Sequence, residues 1–233
     1  MKLLNKLTAE TLEGMAEAGA RILNCYRLLA KTSDNIVGEV LKGQGTFYEL
    51  DHYPAGDVHD PETHSQYYYH SHRIGEHGHF HTFVREKGIP EGLHPIEQSH
   101  ADFMDERDDT LSHLIGISMN PAGFPIALFT TNRWVTADNW YVADDVFEML
   151  DCFCMDLAYP SLPVNIWIND MLQLFRPQIE DLIRKRDEKV AAWSEEHPDR
   201  DVFEDRELDI PSFRRIRVEK QIERVRDALR KKR

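Results

Sequence analysis

A change of hydrophobic period divides this chain into three blocks. Residues 8–31 repeat apolar side chains at helical spacing, through Leu12, Met15, Ala16, Ile22, Leu23, Tyr26 and Leu29, which is the pattern of one buried helix face. Thr8 offers an N-cap and Glu10 an acid in the first turn. A second, short helix is expected from Asn35 to Leu41, capped by Ser33 or Asp34 and stopped by Gly43 and Gly45. From Thr46 to Arg85 the residues turn aromatic and β-branched, and Gln66–Arg73 and Glu76–Val84 read as strands. Residues 86–110, with Gly88, Pro90, Gly92 and Pro95, read as a long loop with one helical turn. His113–Met119 and Phe124–Thr131 flank Asn120-Pro-Ala-Gly123, a turn with Pro second and Gly fourth, and form a hairpin.

Helical spacing then returns. Thr136 is expected to cap a helix running to about Met155, ended by Pro160 and Pro163. A long helix follows from Val164 to about Glu196, bent at Pro177, and a last one from about Pro211 with Val218, Ile222, Val225 and Leu229 on one face. Strands that do not alternate with helices imply an α+β fold, with a small antiparallel sheet of two or more hairpins flanked by helices. Residues 1–160 are expected to form the α+β domain. Residues 161–233 are expected to form a C-terminal αα-hairpin, packed on that domain or on a second subunit as a homodimer element.

Composition narrows the function. With 41% apolar residues the chain can build a core, and no run approaches the roughly 18 apolar residues of a membrane span. The start lacks the apolar run of a secretory signal, and three cysteines make no disulfide framework, so a reduced, cytoplasmic setting is expected. A net charge of −13 disfavours nucleic acid and acidic membranes. The end from Arg206 to Arg233 holds eleven basic and five acidic residues, which is expected of a solvated helix packed on the acidic body or a second copy.

Histidine usage is the pointed signal: eight of twelve lie between His52 and His81. A hairpin over 66–84, closed at Ile74-Gly75, sets Arg73 opposite Glu76, His72 opposite His77, His70 opposite His79 and Tyr68 opposite His81. Period-two alternation then brings His70, His72, His77, His79 and His81 out on one face, and Tyr69, Phe80, Thr82 and Val84 on the other. Opposed residues have Cβ atoms about 4.5–5.5 Å apart, so imidazoles of both strands can share one divalent ion: zinc, iron, manganese or nickel. Glu76, Asp57 and Asp60 are the candidate carboxylates, although Glu76 starts on the wrong face and serves only if the strand end twists. With an open coordination position the site would be catalytic on a small molecule, with Glu76 or Tyr68 in proton transfer. Arg133, between an apolar strand and a helix, is a candidate to hold a ligand's carboxylate or phosphate, or else pairs with an acid while Trp134 covers the core. Cys152 and Cys154 point to different helix faces and are expected in the core. The contrasting reading is a non-catalytic module whose histidine face binds an anion or a partner.

Two resemblances bear on this. His70-Ser-His72-Arg-Ile-Gly-Glu76 is similar to the HxHxxxE core of the first cupin motif, and Gly116…Pro121-Ala-Gly123 to part of the second. The cupin resemblance implies histidine and glutamate ligands inside a β-barrel, but the first motif's closing glycine would fall at Phe83 and the second motif's histidine at Ile126. The segments His52-Tyr-Pro-Ala-Gly-Asp57, Tyr69-His-Ser-His-Arg73, Glu76-His-Gly-His-Phe-His81 and Leu128-Phe-Thr-Thr-Asn-Arg-Trp-Val-Thr136 resemble a family of uncharacterised, mostly proteobacterial proteins. That likeness spans most of residues 45–155 and implies no activity.

Overall fold

Thr8 caps the first helix as its side chain allows: Oγ1 accepts from the Thr11 amide at 3.1 Å. In the computed structural model, which describes residues 3–97 and 110–232, this helix is α1 (Ala9–Ala30) and buries Leu12, Met15, Ile22 and Leu29. Gly19 sits in the same stripe because α7 (Val218–Arg230) crosses there. A Cβ at Gly19 would lie 2.6 Å from Ile222 Cγ1. Asn35, not Ser33 or Asp34 as expected, caps α2 (Ile36–Leu41), accepting from the Val37 and Gly38 amides, while the Asp34 carboxylate accepts from the Asn35 amide.

Six strands follow one another across a single antiparallel sheet: β1 (Tyr53–His59), β2 (Ser65–His70), β3 (Gly78–Arg85), β4 (Leu111–Met119), β5 (Pro125–Thr130) and β6 (Ser212–Arg215). Chain order is sheet order, and β1 and β6 are the edges, so among the described residues the sheet is open and not the barrel of a cupin. Alternation splits its side chains. Tyr67, Phe80 and Ile117 enter the main core, where the Tyr67 hydroxyl donates to Asn165 Oδ1 and Phe80 packs on Trp167 of α5 (Leu162–Leu174). The opposite face carries Tyr68, His70, His79, His81 and Phe129.

The α+β expectation therefore holds, and its register holds where it matters: His70 faces His79 and Tyr68 faces His81. Four further details differ. The β2–β3 connection is not a two-residue turn. The ladder ends at His70–His79, leaving His72 and His77 outside it, and Gly75 (φ 95°) turns a longer loop. The helix expected from Thr136 starts later. Thr136 ends the four-residue α3 (Arg133–Thr136), Ala137 is left-handed (φ 52°), and α4 is Ala143–Cys152. The reason is Asp138, whose carboxylate accepts from the Thr136 hydroxyl and the His113 amide and so holds the turn open. The long helix divides at Phe175 into α5 and α6 (Arg176–Glu196), with Pro177 in the first turn of α6. Residues 212–215, expected in the last helix, are instead the sixth strand, beside β5. The loop expected over 86–110 shows one 3-10 turn, Glu86–Gly88; residues 98–109 lie outside the described residues.

Candidate metal centre

The register supplies two cross-strand rows on the histidine face. One runs His70, His79, Ser118; the next runs Tyr68, His81, Gly116, Phe129. Gly116 is required here, since a Cβ would sit 2.2 Å from the Phe129 ring. The ring can therefore lie flat on the sheet, edge-on to His79 at 5.3 Å and His81 at 5.6 Å between centroids. The Arg73 guanidinium covers Phe129 at 3.9 Å.

Within this frame the imidazoles converge. His70 Nε2 and His79 Nε2 are 2.7 Å apart, and His72 joins them, the three donor atoms lying within 4.8 Å of one another. His79 Nδ1 lies 2.5 Å from Glu76 Oε1, and Arg73 grips the same carboxylate at 3.0 and 3.1 Å. An ionised carboxylate only accepts, so the His79 proton sits on Nδ1 and its Nε2 turns a lone pair toward His70. This is the carboxylate–histidine arrangement that fixes a metal-ligand tautomer. His70 and His79 are buried, whereas His72 is exposed and marks the open side.

A second pair of imidazoles extends the cluster inward. His81 Nδ1 meets His113 Nε2 at 2.9 Å, and His113 Nδ1 meets the Thr131 hydroxyl at 3.1 Å. His81 Nε2 is buried with no hydrogen-bond partner among the described residues. Its ring stands 4.8 Å from His79 and 5.2 Å from His70. An orphaned buried nitrogen costs about 1–3 kcal/mol, which a coordinated ion would relieve.

Electrostatics keep these groups in the ligand state. Burial pushes His70 down to about 2 and His113 to about 3. Burial lowers His79 to about 4 although Glu76 pulls the other way. His81 falls well below the ordinary imidazole value and His72 falls too, both chiefly through burial. All are therefore neutral at pH 7, as a metal ligand must be.

Of the residues singled out in the sequence, the structure brings together His70, His72 and His79, with His81 beside them. Glu76 is present through the turn of the loop, bound to His79 rather than facing the ion side. His77 is not in the cluster: the longer loop turns it toward Phe47, and its Nδ1 meets the Tyr69 hydroxyl at 2.6 Å. Tyr68 lies on the histidine face, stacked on His52 at 3.6 Å. Asp57 bonds His52 and Gln66, and Asp60 accepts from the Glu62, Thr63 and Asp156 amides, so both carboxylates serve loops. Arg133 is buried and ion-paired with Glu204, and the Trp134 indole donates to the Leu208 carbonyl. Cys152 and Cys154 are exposed rather than in the core, Cys25 is buried, and all three are free thiols.

Sequence reading missed His52 and His113. His52, the residue before β1, stands 5.4 Å from His70, and only the density of histidines nearby hinted at it. His113 faces Phe83 next to a bulge in the β3–β4 ladder, a feature with no local signal.

No curated protein and no solved structure matches this chain. A family model does, over residues 16–216, and the likeness noted in the histidine and Leu128–Thr136 segments falls inside it. The chain thus belongs to the family described as a domain of unknown function, DUF6969.

Proposed function

We propose that this protein binds a single divalent transition-metal ion through His70, His72 and His79, with Glu76 orienting His79 and His81 as a further donor from the buried side. The observation that carries this reading is the convergence of three imidazole donor atoms within 4.8 Å of one another, with His79 Nε2 held as an acceptor by Glu76 on its other nitrogen. A hydrogen bond between His70 and His79 accounts for that pair alone, whereas a shared cation would also engage the His72 donor and the buried His81 Nε2, which has no hydrogen-bond partner among the described residues. All-nitrogen donors suit zinc, iron or nickel better than calcium or magnesium. An ion on imidazoles with a free position supplies Lewis-acid or water-activating chemistry, which makes a metal-dependent enzyme acting on a small molecule the favoured form of this function. Glu76 is engaged by His79 and Arg73, which supports a positioning role over proton transfer. Tyr68 remains the candidate for that step: burial raises its hydroxyl pKa, so the hydroxyl stays protonated at neutral pH.

Elemental analysis of untagged protein beside a His70→Ala/His79→Ala double variant tests the reading. About one metal per chain in the wild type and none in the variant is expected. Equal content in the two would eliminate the site.

A further inference from the structure

The row of side chains that begins at His70 and His79 continues past the metal site. On the same face it passes from Ser118 on β4 to Ala127 on β5 and Arg215 on β6. Arg215 thus lies three strand spacings from His79, about 14 Å along the sheet. Ser118 and Ala127 are small, so the sheet surface between the two ends is low, and a cleft of about 650 Å³ stands over it. Its walls are apolar at Ile126, Ile210, Phe213 and Ile216, with Phe213 54% exposed although it is a large aromatic. One end is closed by Arg73 and Glu76, and Glu76 is the residue that holds His79.

The other end carries Arg215 and Arg217. Both are exposed, and neither meets a carboxylate at ion-pair distance among the described residues, whereas Arg214, on the opposite face, is paired with Asp181. In a chain of net charge −13, two cations left without acids beside an apolar cleft form a complement to an anion with an apolar body. Asp209, the residue before Ile210 in the cleft wall, acts on His72 at the metal end. That places the negative head of a ligand at the arginine end.

We infer that the cleft binds a small organic acid. Its carboxylate lies on Arg215 and Arg217, its apolar body lies over Ser118 and Ala127, and its far end reaches the Arg73–Glu76 end of the cleft, where Glu76 separates it from His79 and the ion on His70, His72 and His79. The place of the far end beside the ion rests on the metal reading above; the binding itself does not.

The test uses 3-phenylpropionate and its neutral amide as probes, titrated calorimetrically into zinc-loaded and chelator-stripped protein. The acid should bind both forms, and the amide at least tenfold more weakly. Arg215→Gln and Arg217→Gln should each weaken the acid roughly five- to tenfold, and Arg27→Gln on α1 should not. These arginines are exposed, so circular dichroism should show unchanged folds. In cobalt-loaded protein the phenyl protons of the bound acid should broaden. Equal binding of acid and amide, no binding of either, or an affinity that depends on the metal and not on the arginines would overturn the inference. A protein that takes up no metal yet binds the acid through both arginines would uphold the cleft while removing the metal reading.

Discussion

Acid should destabilise the metal-free protein by an amount the buried imidazoles fix. His70, His79 and His113 have folded pKa values of about 2, 4 and 3, against about 6.5 in the unfolded chain. Because the folded values are depressed, the unfolded chain takes up these protons first. Stability is therefore full above pH 6.5 and falls as the pH drops from 6.5 toward 4. At pH 5.5 the folded imidazoles remain neutral while the unfolded ones are mostly charged, and each costs about 1.4 kcal/mol. Three give roughly 4 kcal/mol, a large part of the 5–15 kcal/mol typical of a folded domain. Urea unfolding of chelator-treated protein at pH 7.5 and 5.5 measures this directly, and His113→Asn should recover about a third of the difference. Identical unfolding midpoints at the two pH values would refute this, as would titration of the His70, His79 or His113 resonances near 6.5 in the folded protein.

Glu76→Gln should lower metal affinity about 10- to 100-fold without unfolding the protein, because the amide cannot enforce the same His79 tautomer; competition with a chromophoric chelator reads this. Gly116→Ala drives a methyl to within 2.2 Å of the Phe129 ring. It should cost about 1–3 kcal/mol in thermal or urea unfolding and displace the ring that supports His79 and His81. Cys152→Ala and Cys154→Ala should leave metal content unchanged, since both thiols are exposed and belong to other elements than the cluster.

The sheet was legible because its strands announce themselves by period. The Asn120–Gly123 turn and the alternating Tyr68, His70 and His79, His81 pairs fix the register through local geometry alone. What escaped was set by tertiary contacts. Residues 212–215 become a strand because β5 offers a free edge, not because Ser-Phe-Arg-Arg has strong strand propensity. Thr136 fails as a cap because the Asp138 carboxylate is drawn to the His113 amide, 25 residues away. The same limit applies at the site. Spacing found His70, His72 and His79. It could not say that the loop would swing Glu76 onto His79 and His77 onto Tyr69, nor that His52 would arrive from the segment before β1 and His113 from β4.

X-ray absorption at the zinc edge, on protein carrying one equivalent of zinc, tests the metal centre most directly. A first shell of at least three imidazole nitrogens at about 2.0–2.1 Å is expected, with outer-ring scattering lost in His70→Ala/His79→Ala. A sulfur shell at about 2.3 Å, or an all-oxygen shell that ignores the variant, would contradict it.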